Sequence, residues 1–252
     1  MVKFLTYLAM RLTLFVTCSI DRRSLKDVPF QGPMIFIGNH INFLDVLTAL
    51  AFSYPRKTFF LVKKETFDTP FLRLLFNAWG GIAVDRGTAD LRALRKAAGV
   101  LGQGHFFTIA PEGTRTKDGQ LIKAQTGVVI IALKSKAAIM PVAQYGGEKF
   151  SENIKKLRRT RITMRTGAPF MICPDSAYPN KSERQLIADE MMYQIAELLP
   201  PEYRGYYSDL SKTSTNYLDF NLLVNKPAKQ SWRQKAAKRV RKYQSCFRNT
   251  AG

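Results

Sequence analysis

A histidine at position 40 and an aspartate at position 45 stand in "GNHINFLDVLTAL", between two apolar stretches, and the chain's other histidine is His105. An imidazole held by a carboxylate can take a proton from a weak nucleophile near neutral pH, because the bond to one ring nitrogen fixes the tautomer and leaves the other basic. One continuous helix would keep the two apart, since five residues separate side chains by about 140°. They can meet only if a helix starts between them. Asn42 is a favoured N-cap, and Asp45 then falls at N3, where a carboxylate reaches back to the cap. Two readings stay open for Asp45, plain capping or orientation of His40, and two for His40, turn residue or base.

Two other segments carry charge at strand ends. "GGIAVDRG" puts Arg86 after a short strand, and "APEGTRTKDG" puts Glu112, Gly113, Thr114 and Arg115 in a turn after another. Loops that follow the strands of a parallel sheet gather at one edge, where ligands bind. Two arginines there, with glycines that expose backbone N–H groups, suit a phosphate. Taken singly, Arg86 could pair with Asp85 and "EGTR" could be only a turn. Cys18, Cys173 and Cys246 are too dispersed for a disulfide framework or a metal cluster. A reducing compartment is expected, and no metal.

The elements around these segments alternate. "MIFIG", "KTFFLVKK", "GGIAV", "HFFTIA", "IMPVAQYG" and "RITMRTG" read as strands. "FLDVLTALAF", "TPFLRLLFNAW", residues 89–103, "TGVVIIALKSK" and "SERQLIADEMMYQIAELL" read as helices, the last with a capping box from Ser182 to Gln185. The pattern predicts an α/β fold with a central, largely parallel sheet flanked by helices. His105 has no evident partner and is expected to be structural.

Charge adds a partner class. Lys and Arg number 39 against 19 Asp and Glu, a net +20 that calls for an anionic partner. From Phe220 to Gly252 there are nine cations and no acid, and Trp232, Ala236, Val240, Tyr243 and Phe247 would form one apolar helical stripe. That is the pattern of a helix lying on anionic lipid, with a disordered basic tail as the plainer reading. No aromatic-stacking module accompanies the cations, so nucleic acid is not expected. At the other end, Phe4, Leu5, Leu8, Leu12, Phe15 and Val16 fall within about 120° on a helix, with Lys3, Thr6, Arg11, Thr13 and Thr17 opposite. This face would lie in a membrane interface, pack on the protein itself, or belong to a short span. The expected organisation is an amphipathic helix and linker (1–26), a catalytic domain (27–206) and a basic extension (207–252).

Four motifs in order resemble the glycerolipid acyltransferase family, most closely its 1-acyl-glycerol-3-phosphate acyltransferases. They are "NHINFLD", "GGIAVDRG", "PEGTRTKDG" and "IMPVAQYGG", within a resemblance running from about Phe30 to Tyr206. The resemblance implies that His40 is a general base oriented by Asp45. It also implies that Arg86, Glu112, Gly113, Thr114 and Arg115 hold the glycerol phosphate. Asn42 and Ala110 stand where many members have serine and phenylalanine, and the basic tail lies outside the resemblance.

The implied reaction is direct transfer from an acyl thioester to the sn-2 hydroxyl of lysophosphatidic acid, without an acyl-enzyme, since the chain has no G-x-S-x-G elbow. The donor would be acyl-CoA or acyl carrier protein, used as substrate, with no bound cofactor. Backbone N–H groups near His40 or Gly113 would serve the oxyanion. Phe71, Leu72, Leu75, Phe76 and Trp79 would touch lipid, line the acyl path, or form ordinary core. The protein would sit on the cytoplasmic face of a membrane. Glycerol-3-phosphate or another lysophospholipid is the nearest alternative acceptor, and a non-catalytic basic membrane- or nucleic-acid-binding protein the more distant alternative.

Overall fold

The computed structural model describes residues 2–28, 32–85, 90–116 and 118–221. The chain opens with α1 (Val2–Thr17) and runs directly into β1 (Cys18–Asp21). There follow β2 (Met34–Gly38), α2 (Phe43–Ser53), β3 (Thr58–Lys63), α3 (Pro70–Trp79), β4 (Gly81–Val84) and α4 (Leu91–Gly102). Next come β5 (Phe106–Ile109), α5 (Gly127–Ser135), β6 (Ala138–Tyr145), α6 (Phe150–Lys155) and β7 (Thr160–Thr166). The described chain closes with β8 (Met171–Ile172), α7 (Lys181–Ala196) and β9 (Leu218–Asp219).

Seven strands form one sheet in the order β1-β7-β6-β2-β5-β3-β4. All neighbours are parallel except β6 and β7. Strand pleating sends alternate residues to opposite faces. Ile35, Ile37, Phe107 and Ile139 enter the main core with α4, α5 and α7. Met34, Phe106 and Met140 face the other way, and on that side α1, α2 and α3 pack together. The α/β fold with a mostly parallel sheet is therefore as the alternating pattern predicts.

The chain leaves β2 toward β3 on one side, and returns from β5 across β2 to β6 on the other. Such a reversal opens a crevice beyond the carboxyl ends of the central strands. The loops after β2, β5 and β6 meet there.

Three expectations change in detail. The first helix ends at Thr17, and the stretch expected as linker up to residue 26 opens with a strand, because Cys18–Asp21 pairs with β7, its Cys18 side chain buried. The cap of α7 is Asn180, whose side chain accepts from the Glu183 N–H at 2.9 Å, two residues ahead of the Ser182–Gln185 box. Residues 207–221 do not stand apart as an extension. Tyr207 is buried with its hydroxyl donating to Asp189 at 2.7 Å, and Glu190 accepts from Ser214, Asn216 and Tyr217. The residues beyond 221, where all nine tail cations lie, are outside the described residues. His105 stacks on Phe59, 5.4 Å between ring centres.

Candidate active site

The sequence Gly38-Asn39-His40-Ile41-Asn42 ends β2 and starts α2 within four residues, which puts His40 on the turn and Asp45 in the first helical turn. Asn42 caps the helix by accepting from the Leu44 N–H at 2.8 Å. Asp45 reaches back to the cap, and in doing so meets the imidazole. His40 Nδ1 lies 2.9 Å from Asp45 Oδ2, with both side chains largely buried. A carboxylate can only accept, so Nδ1 carries the hydrogen and Nε2 is the basic nitrogen. Capping and orientation, open alternatives in the sequence, are one arrangement here.

The Asp45 carboxylate is saturated with donors. Oδ2 also accepts from the Ile41 N–H at 2.6 Å and the Asn42 N–H at 2.9 Å. Oδ1 accepts from Gln144 Nε2 at 2.9 Å. The Gln144 amide is held in turn, since its Oε1 accepts from the Thr48 hydroxyl at 2.6 Å. Asn39 and Gln144 exchange two more bonds, Asn39 Nδ2 to the Gln144 carbonyl at 2.7 Å and the Gln144 N–H to Asn39 Oδ1 at 2.9 Å. A buried carboxylate stays ionised only with such pairing. Gln144, Thr48 and Asn39 escaped the sequence reading. The usable signal was a glutamine inside "IMPVAQYG", a polar residue in an otherwise apolar strand.

The loop after β5 is tied to the same turn. The His40 N–H donates to Glu112 Oε2 at 2.8 Å, and the His40 carbonyl accepts from the Thr116 N–H at 2.9 Å. Glu112 Oε1 accepts from the Ile122 N–H at 3.2 Å. Burial pushes the Glu112 carboxyl up to about 7, helped by the Asp45 charge and opposed by the two N–H bonds. Both its oxygens are committed within the protein and it is 3% exposed, so the structure places it as a strut rather than on a phosphate. Gly113, at φ +72°, turns the chain in the left-handed region that glycine tolerates. Its N–H donates to Ala110 at 3.1 Å. The N–H groups of His40 and Gly113 themselves are thus already engaged within the protein.

Gly113 and Thr114 line the same cavity as His40, Asp45 and Glu112. Arg115 is exposed on the same loop, and Arg86 lies outside the described residues. The cavity has a volume of about 880 Å³. From the His40 turn it runs beside α2, past Phe36, Val46, Leu50 and Phe60, to Arg56 and Phe106 at the opposite edge of the sheet. Phe71, Leu72, Leu75, Phe76 and Trp79 are not among its lining residues. Phe71 is exposed, Trp79 is buried, and Leu75 and Phe76 pack with Phe60 and Val62. Among the described residues no group of His, Cys, Asp and Glu could hold a metal ion.

Residues 19–145, just over half of the chain, match the Acyltransferase family. A 1-acyl-sn-glycerol-3-phosphate acyltransferase of Chlamydomonas reinhardtii is 25% identical over 194 residues, 76% of this chain and 55% of that protein. One from Bacillus subtilis (strain 168) is 23% identical over 190 residues, 75% of this chain and 93% of that protein. The chain spans about half the length of several of the relatives it matches. The crystal structure of the 1-acyl-sn-glycerophosphate acyltransferase of Thermotoga maritima shares the fold, with a TM-score of 0.56, 22% identity and 78% of each chain covered. With the matched residues running from β1 to the end of β6, through the His40–Asp45 turn and the Glu112 loop, the chain belongs to the Acyltransferase family.

Proposed function

We propose that the protein moves a fatty acyl group from an acyl thioester to the sn-2 hydroxyl of 1-acyl-glycerol-3-phosphate, giving phosphatidic acid. The observation that carries this reading is the 2.9 Å bond between His40 Nδ1 and a fully satisfied Asp45, at the mouth of a long apolar cavity. His40 Nε2 accepts the hydroxyl proton as the oxygen attacks the thioester carbonyl. The carbon–sulfur bond then breaks, and the imidazolium returns the proton to the thiolate. No acyl-enzyme forms. The donor is acyl-CoA or acyl-carrier protein.

The apolar cavity takes the acyl chain. The six residue-to-residue steps of strand and turn from Met34 to His40 span about 20 Å. A straight alkyl chain advances about 1.25 Å per carbon for bonds of ~1.5 Å, so about 16 carbons would fit. Arg115, with Gly113 and Thr114, binds the phosphate of the acceptor; Arg86, expected to join them, lies outside the described residues.

The same reading puts the protein on the cytoplasmic face of a membrane. Phe4, Leu5, Leu8, Leu12, Phe15 and Val16 of α1 are all more than half exposed, while Leu14 packs inward. Among the described residues no helix is long and apolar enough to cross a bilayer. An anionic surface would draw in a chain of net charge +20, whose Arg159 guanidinium lies against Phe15 of this face. The test is a panel of acceptors offered with a labelled acyl thioester, beside the His40→Ala variant. Preference for lysophosphatidic acid over glycerol-3-phosphate and larger lysophospholipids, lost in the variant, is expected. Equal use of all acceptors would sink the substrate assignment.

A further inference from the structure

Between α6 and β7 the chain exposes a leucine at a backbone position that leucine disfavours. Leu157 is 97% exposed, and its φ is +50°, in the left-handed region where a Cβ is strained. The turn closes a helix, with the Asn153 carbonyl accepting from the N–H groups of Lys156 at 3.1 Å and Arg158 at 2.8 Å. Glycine or asparagine ordinarily takes the left-handed position of such a cap. A large apolar side chain that is strained and bare adds nothing to the stability of the fold. Lys155, Lys156, Arg158, Arg159 and Arg161 surround it in sequence, and all are exposed.

The loop is also fixed to the end of α1. Arg159 Nε donates to the Cys18 carbonyl at 3.1 Å, and its guanidinium lies 5.7 Å from the centre of the Phe15 ring. Cys18 pairs with Thr160, so Phe15 and Leu157 stand at one edge of the sheet. It is the edge that carries His40. Strand β7 runs against β6 with Tyr145 opposite Thr163, so Thr160 lies beyond the carboxyl end of β6.

We propose that Leu157, with its collar of five cations, inserts into a bilayer rich in anionic phospholipid and extends the lipid-facing surface of α1 to the active-site edge. The inference rests on the reading that the protein works at a lipid surface, and it names a second contact there. Charge selects the bilayer over other occupants. Residues 222–252 bring nine cations and no acid, and a second copy brings another +20, so both are repelled by the collar. Anionic headgroups are attracted, by an amount that grows with each cation near the surface.

The experiment is flotation of the full chain with phosphatidylcholine vesicles, with and without phosphatidylglycerol. Leu157→Gly relieves the backbone strain, so its Tm should match or exceed that of the unaltered chain. Its partition onto the anionic vesicles should fall about tenfold, the effect of losing one buried leucine side chain. Lys156→Glu with Arg158→Glu should weaken binding to anionic vesicles and leave binding to neutral ones unchanged. A lowered Tm with unchanged partition in Leu157→Gly would make the leucine structural and overturn the proposal. So would a dimer that this variant dissociates, or a Leu157→Cys thiol that becomes reactive only in a chain ending at residue 221. Acyl transfer to a short-chain, water-soluble acceptor should be the same in Leu157→Gly. If the unaltered chain transfers nothing while the partition effect holds, the anchor stands and the enzymatic reading falls. Transfer alongside vesicle binding indifferent to position 157 is the reverse result.

Discussion

The turn from Asn39 to Asp45 and the loop from Lys155 to Arg159 lie at the same edge of one sheet, built on opposite principles. In the turn, the backbone N–H of His40 ends on the Glu112 carboxyl and those of Ile41 and Asn42 on Asp45, both of whose oxygens are engaged. In the loop, the side chains point outward and a leucine is held in a strained conformation. The turn needs nothing from outside to keep its geometry, which suits a base that must be in place before substrate arrives. The loop leaves apolar area and charge unsatisfied until something external covers them.

The largest effect expected is at His40. His40→Ala should lower the rate of acyl transfer at least about a hundredfold, as for other lost acid–base groups, with little change in Tm. Steady-state kinetics beside a thermal melt checks it, and a rate within a few-fold of normal would leave the turn without its function.

Glu112 comes next, through pH. Its carboxyl ordinarily titrates near 4.5, and in the folded chain it does so at about 7. Between those values the folded state holds a proton that the unfolded state has released. The stability it contributes is complete below about pH 4.5 and is lost as pH rises through 7, by about 3 kcal/mol for a shift of this size. Melts of Glu112→Gln across this range should show a flatter slope. The variant should be less stable at pH 5, where its amide must face a backbone N–H, and nearer the unaltered chain at pH 8. Parallel curves would separate the titration from this residue.

Smaller still is Gln144. Gln144→Leu removes one of four donors to Asp45, and a lost hydrogen bond to a charged group costs about 1.5–3 kcal/mol, of which positioning of His40 is one part. A fall of about tenfold in kcat is expected. The loss should fall on kcat with KM little changed, because Gln144 holds the Asp45 carboxylate that positions His40. An unchanged kcat with a lowered Tm would make Gln144 a packing residue only.

How much of this was legible in the sequence differs by element. The buried strands "MIFIG" and "IMPVAQYG", and the Asn42 cap, follow from local pattern, because burial on both faces and capping are decided within a few residues. The chemistry of the His40 turn was legible only as alternatives, since the bonds from Glu112, Gln144 and Thr116 span 72 to 105 residues and leave no periodic trace. Strand β1 was hidden for a related reason. Its four residues follow α1 without a break, and only β7, some 140 positions away, makes them a strand. Leu157 was visible as a letter within "KKLRRTR", while its backbone strain was not.

The smallest effect on stability falls on Leu12 of α1, where sequence and structure coincide most closely, and set beside Leu14 it separates folding from lipid contact within one helix. Leu12 is 62% exposed and Leu14 3% exposed, two residues apart. Leu14 sits among Leu44, Ile162 and Met164, and truncating such a residue leaves a cavity. Leu14→Ala should cost about 2–5 kcal/mol. Leu12→Ala removes area already in contact with solvent, and should change stability by less than about 0.5 kcal/mol. Partition onto anionic vesicles should show the opposite order, with Leu12→Ala the weaker binder and Leu14→Ala near normal at temperatures where it stays folded. If both variants bind vesicles as the unaltered chain does, the exposed arc of α1 faces something other than lipid, and the loop at Leu157 loses the surface it is proposed to extend.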